Sequence, residues 1–320
     1  MEKYPKFYAS TGIWGYDFTA HEVVTEDGYT LTLMEVLPKD GWFKKGKAPK
    51  EPMLAIHAMG NNPHDWLNNG LADPDKAPMP LQVLDDGHPL FMMYARGTEY
   101  SRQHETYAAT SAEFWDFTWE EIGNYDVAAC LDYVYDLTGK KSNLSGFSMG
   151  TSSIFAALTL RYDFFKERTN KVVLMSPCTI TAEFMYPTAI FNVGTTKLCA
   201  ATGIFEIGGP TWASTSVKLA KIIGVEGFAG MLAGGWGANL TSVSLGALYH
   251  YAQNAKQDRF QRYAPNYWSL NPFDSSKADT ELYDLSVIQD IPIGLFIGAA
   301  DTTCTPEQDE ITRDTIGAMV

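Results

Sequence analysis

The pentapeptide Gly146-Phe147-Ser148-Met149-Gly150 constrains this chain more than any other stretch, because of what flanks it. Residues 144–147 read as a short strand, and residues 149–160 as a helix. A serine between two glycines at a strand-to-helix turn is a nucleophile elbow. The glycines let the backbone turn sharply, and the serine oxygen stands exposed above the sheet. In a chain with 27 glycines the pattern alone is a weak signal, and its setting gives it weight. The alternative is a glycine-rich turn with a surface serine. A helix starting at Met149 also favours negative charge developing beside Ser148.

The rest of the chain supplies the sheet that such an elbow needs. Residues 29–37 alternate β-forming side chains and stop at Pro38. Residues 53–57 and 89–94 are continuous apolar runs, as in parallel strands buried on both faces. Between residues 120 and 137, Ile122, Tyr125, Val127, Cys130, Leu131, Val134 and Leu137 recur at spacings of three and four before Gly139, which predicts an amphipathic helix. Residues 172–175 and 291–297 read as further strands, although Ser142-Asn143-Leu144-Ser145 is polar for a central one. Thr305-Pro306-Glu307-Gln308 opens a last helix with an N-cap, a first-turn proline and a capping-box glutamine.

This alternation predicts an α/β fold: a mostly parallel central sheet with helices on both faces. Residues 178–267 change to glycine- and alanine-rich apolar segments, which predicts an inserted, mainly helical cap. The expected division is therefore core over 1–177, cap over 178–267 and the second part of the core over 268–320. Within the cap, residues 215–232 interleave Val217, Ile222, Phe228 and Met231 with glycines, as an acyl-binding wall, a lid or plain cap core would.

A formal charge of -14 argues against a nucleic-acid partner, since phosphate binding needs clustered Lys and Arg. The most apolar region is broken by Lys218, Lys221 and Glu226, so no transmembrane segment is expected. The first fourteen residues do not read as a secretory signal. Cys130, Cys178, Cys199 and Cys304 lie far apart without metal-ligand spacing; they are expected mostly as buried thiols, with one disulfide permitted in an oxidising compartment.

Ester chemistry at such a serine needs an oxyanion hole, an acid and a base. The backbone N–H of Met149 supplies one oxyanion donor, and that of Met59, in the turn His57-Ala58-Met59-Gly60 after a strand, is the candidate for the other. Asp301, just past the strand ending near Ile297, takes the acid's place in the chain order Ser, Asp, His. The lesser alternative is an N-cap or loop aspartate, since Asp is common after strands. Such chemistry requires no metal or organic cofactor.

On these residues the chain resembles the acid lipase family of the α/β-hydrolases, the gastric and lysosomal type. Residues 21–31 look like the family's N-terminal strand pair, and residues 95–102 are similar to its Ser-Arg-Gly-Asn segment. The most specific stretch is the aromatic and acidic run over residues 113–127; residues 247–253 and 260–263 resemble the end of the family's cap. Two positions depart: Ala58 stands where the family has glycine, and Phe147 where it has histidine. A positive φ at position 58 would strain an alanine.

The resemblance implies neutral lipid esters such as triacylglycerols or sterol esters as substrates, met at a lipid–water interface through the cap. It also suggests a secreted or lysosomal protein. It implies a C-terminal strand and histidine loop as well, yet no histidine follows Asp301. Either the chain is a truncated form of a longer lipase, or it lacks the base and serves as a lipid-binding or structural subunit. Truncation is the favoured expectation, because the last helix stops where a strand should cover the sheet edge.

Overall fold

The alternating run after Gly28 folds as a strand whose two sets of side chains enter opposite cores, Leu31 and Leu33 on one side, Met34 and Val36 on the other. The computed structural model describes residues 3–39, 48–67, 76–181, 203, 205–208, 241–265 and 280–317. Within these, β1 (Asp17–Val24) pairs antiparallel with β2 (Tyr29–Leu37), which pairs antiparallel with β4 (Leu90–Tyr94). From β4 the sheet continues in parallel through β3 (Met53–Ile56), β6 (Ser142–Phe147), β7 (Thr169–Met175) and β10 (Ile293–Phe296). The short β5 (Gln103–His104) adds to β2, and β8 (Glu206–Ile207) forms a separate ribbon with β9 (Val243–Ser244).

Both faces of the sheet are covered, as the continuous apolar runs demand. Every residue of β3 and β4 is buried. Leu54, Ile56, Phe91 and Met93 meet Leu131, Phe155 and Phe165 from α4 (Ala128–Thr138), α5 (Met149–Leu160) and α6 (Tyr162–Arg168). Met53, Leu90, Met92 and Tyr94 meet Phe7, Leu81 and Leu84 from α1 (Pro5–Gly12) and α2 (Met79–Asp85). In the polar run at the start of β6, Ser142 and Ser145 are buried with hydroxyls that have no partner among the described residues, and Asn143 accepts from the Asn170 amide at 2.8 Å.

The helix expected over 120–137 is not uniform. It runs as α3 (Trp119–Glu121), a π-helical turn (Ile122–Val127) and then α4, ending at Gly139 with φ +66°. The extra residue of the π turn has a packing cause. A Cβ on Gly123 would lie 2.1 Å from the Ser153 carbonyl oxygen, so α5 is seated directly on this backbone. After α7 (Leu245–Gln257), the last helix, α8 (Pro306–Thr315), starts where expected, but Thr305 makes no side-chain cap and the Gln308 side-chain oxygen has no partner. The capping box expected there does not form. Among the described residues no helix is long and apolar enough to cross a membrane. Residues 215–232, including Phe228, lie outside the described residues, as does most of the expected cap.

The π turn also carries Asp126 to Arg96, at the end of β4. The Arg96 backbone N–H and Nε donate to Asp126 at 2.8 and 2.7 Å, and the rest of the guanidinium holds Asp27 at 2.6 and 2.9 Å. Arg96 and Asp126 are fully buried, and the guanidinium lies 4.0 Å over the Tyr29 ring. Burial pushes the Asp126 carboxyl up to about 6, with Arg96 pulling against that shift. Removing Asp126 would leave the buried Arg96 Nε and backbone N–H without their acceptor and the guanidinium to Asp27 alone. Asp126→Ala should therefore cost about 3–5 kcal/mol in urea unfolding, whereas Glu26→Ala, which removes a surface partner of Arg161, should cost less than about 1 kcal/mol. Equal costs would contradict this account.

Candidate active site at the carboxyl edge of the sheet

Gly146 and Gly150 bracket Ser148 because there is no room for a side chain at either place. A Cβ on Gly146 would stand 2.9 Å from the Gly150 carbonyl carbon, and one on Gly150 would stand 2.6 Å from the Ile56 oxygen. The elbow is thus pressed against the end of β3. Ser148 itself holds φ 50° and ψ -114°, an unusual state for a residue with a Cβ. It is pinned by its own N–H donating to Met175 at 3.0 Å, and by Thr151, whose backbone N–H and hydroxyl both donate to its carbonyl at 2.8 and 2.5 Å. Ser148 is half-buried and Met149 opens α5, whose first N–H groups have no acceptor within the helix.

The turn after β3 lies against this helix, since a Cβ on Gly150 would be 3.1 Å from the His57 carbonyl oxygen. His57 is buried, with Nδ1 2.8 Å from the Ala58 carbonyl and Nε2 accepting from the Ala95 N–H at 3.3 Å. Burial lowers its pKa, which keeps the ring neutral with the proton on Nδ1. It shapes the turn. The positive φ falls on Gly60, at 72°, and not on Ala58, so the alanine brings none of the strain that a positive φ there would have caused. Met59 is half-buried beside the first core.

Asp301 follows β10, on the same edge of the sheet as Ser148: Phe147, Met175 and Phe296 are register neighbours across β6, β7 and β10. In open α/β sheets this carboxyl edge is where ligands bind. Asp301 Oδ1 accepts from the N–H groups of Thr303 and Cys304 at 2.9 and 3.1 Å. Asp309, on α8, is buried near it; burial first, and then the Asp301 charge, push its carboxyl up to about 7. Sequence reasoning did not single out Asp309.

The six histidines of the chain are all described and all engaged. His250 stacks on Trp119 at 3.8 Å, pairs with Thr118 and Gln261, and is held neutral by burial, which lowers its pKa to about 3. His64 sits against the Tyr94 hydroxyl at 3.0 Å, His21 against Glu35 and Tyr133, His88 against the Glu51 carbonyl and His104 against the Asp27 carbonyl. Two contacts that the sequence did not foresee reach the elbow's helix at Ser152. The Ser152 hydroxyl meets Tyr251 of α7 at 2.6 Å and donates to the Cys178 carbonyl. Cys178 is disulfide-bonded to Cys304, where buried thiols were the main expectation; Cys130 stays a buried thiol, and Cys199 lies outside the described residues. Among the described residues no cluster of metal-ligating side chains occurs.

Residues 9–70 match the family described as a partial alpha/beta-hydrolase lipase region. Triacylglycerol lipase 2 of Arabidopsis thaliana is 34% identical over 152 residues, which is 47% of this chain and 35% of that protein. The chain thus spans about a third of that relative's length. Human Lipase member N is 26% identical over 317 residues, 92% of this chain and 77% of its own. Among solved structures, a soluble variant of monoglyceride lipase from Saccharomyces cerevisiae, in complex with a substrate analog, superposes with a TM-score of 0.56 at 14% identity. The superposition covers 94% of this chain and 84% of that one, which shows a shared α/β-hydrolase fold.

The Asp309 carboxyl gives a pH signature. An unfolded aspartate titrates near 3.8, so between that pH and about 7 the folded state keeps a proton that the unfolded state has released. Stability should therefore fall as pH rises through this window and level off above it. Asp309→Asn should flatten that slope in thermal melts taken from pH 4.5 to 8; an unchanged slope would count against a protonated Asp309.

Proposed function

With the chain a member of the acid lipases in the α/β-hydrolase fold, we propose that it hydrolyses carboxylic esters of neutral lipids through an acyl-serine intermediate. The observation that carries this reading is the backbone of Ser148, a half-buried serine at φ 50° between two glycines that admit no Cβ. In this reading a base takes the Ser148 proton as Oγ attacks the ester carbonyl, and the N–H groups of Met149 and Met59 hold the tetrahedral oxyanion. The ester's alcohol leaves with that proton to give the acyl-serine. Water then releases the fatty acid, without a metal or organic cofactor. Asp301 is the acid that would orient and stabilise an imidazolium. Triacylglycerols or sterol esters are the substrates this reading favours, presented at a lipid–water interface on the side of the cap.

A second reading has its own observation: each of the six histidines of this sequence is hydrogen-bonded to groups other than Ser148. In that case the fold binds lipid without turning it over. The two readings part on an external base. Where no imidazole reaches Ser148, such a site retains roughly 10³ to 10⁴ over water. Added imidazole should raise the hydrolysis of a p-nitrophenyl butyrate ester by this chain well above the buffer reaction, and Ser148→Ala should abolish that gain. Equal imidazole-dependent rates for the two proteins would sink the serine mechanism and leave lipid binding.

A further inference from the structure

Two cross-links join the segment after β7 to the end of the described chain. Cys178 is disulfide-bonded to Cys304, with their Cα atoms 5.2 Å apart, and Thr179 Oγ1 lies 2.6 Å from Thr312 Oγ1 on α8. Neither takes part in the ester chemistry, yet the disulfide reaches both ends of it. On one side the Cys178 N–H donates to Thr151 Oγ1 at 2.8 Å, and that hydroxyl donates to the Ser148 carbonyl at 2.5 Å. On the other side the Cys304 N–H donates to Asp301 Oδ1 at 3.1 Å. One covalent bond and three hydrogen bonds thus run from the nucleophile's peptide group to the acid's carboxylate.

The sheet alone does not fix that distance. The chain leaves β10 at Phe296, five residues before Asp301, and the Asp301 hydrogen bonds to Gly298, Thr303 and Cys304 are all internal to the turn. Where the turn sits relative to the elbow is therefore left to Cys304 and to α8. We propose that the Cys178–Cys304 disulfide is a positioning element of the active site, which holds the Asp301 turn in place against the nucleophile elbow. This rests on the roles given above to Ser148 and Asp301. A dithiol undoes it: dithiothreitol supplies two electrons and two protons, Cys178 and Cys304 become thiols, and the reagent closes to its cyclic disulfide.

The test follows two readouts on the full chain, oxidised, reduced with dithiothreitol and reoxidised, beside the double variant Cys178→Ser/Cys304→Ser. One is amide hydrogen exchange of peptides spanning Thr303 and Cys304, with β3 and β6 as internal reference. The other is the rate at which a fluorophosphonate probe labels Ser148, with imidazole present. Reduction should speed exchange at residues 303–304 by at least about tenfold, as local opening does, slow the labelling of Ser148, and leave β3 and β6 unchanged. Reoxidation should restore both, and the double variant should resemble the reduced chain and ignore the reductant. Unchanged exchange at residues 303–304 would overturn the proposal. So would acceleration spread evenly over β3 and β6, the mark of a mere global staple, or labelling that ignores the reductant. If Ser148 is not labelled even in the oxidised chain, the hydrolase reading fails, and exchange still decides whether the disulfide holds the turn.

Discussion

Ser148 occupies a backbone state that costs on the order of 1–3 kcal/mol and persists only where its surroundings over-determine it. Here the surroundings are the tight seat of α5 on the end of β3, possible because Gly150 and Gly146 carry no side chain, and the acceptors at Met175 and Ser148 that lock the turn. Much else follows from that seat. It brings the turn after His57 to the start of α5, and it sets α5 down on the π turn at Gly123, where its backbone meets Ser153. The π turn in turn delivers Asp126 to Arg96, so the strained serine and the buried ion pair belong to one packing arrangement.

The aromatic and acidic stretch before the elbow acts as the connector between the core and the described part of the 178–267 region. Trp115 packs on Gly97, where a Cβ would come within 2.6 Å, and Arg102 lies 5.0 Å over the same indole. Trp119 is stacked between His250 and Phe260, Glu120 accepts from Tyr283 and pairs with Arg262, and Ser244 caps α7 while donating to the Trp115 and Phe117 carbonyls. Tyr251 then reaches Ser152 on the nucleophile's helix. A histidine in this setting, His250, is a neutral packing element; its burial removes it from proton transfer at ordinary pH. The disulfide closes a sequence separation of 126 residues, a constraint worth about 4–5 kcal/mol in the chain-entropy account.

Local patterns were legible in the sequence where one element decides them. The period-two alternation of β2, the unbroken apolar runs of β3 and β4, and the strand-to-helix turn at Ser148 each depend on neighbours within a few residues. The π turn was hidden inside a good helical periodicity because its cause, the approach of Ser153 to Gly123, comes from thirty residues away. The capping box at Thr305 failed for the same kind of reason: the motif was present, but the side-chain oxygen of the half-buried Gln308 sits where it finds no donor. Position 58 drew attention as a place where alanine would suffer, whereas the turn puts its left-handed residue at Gly60.

What the sequence determined by itself was the kind of fold and the identity of the turn that carries the reactive serine, since periodicity and glycine placement act through the local backbone. Tertiary structure alone decided which cysteines pair, that His57 and His250 are neutral and engaged, that Asp309 lies buried near Asp301, and that Thr151 and Cys178 link the elbow to the acid's turn. Those facts depend on distance between segments far apart in the chain and on how much water remains between them. Neither quantity is written in any one stretch of residues.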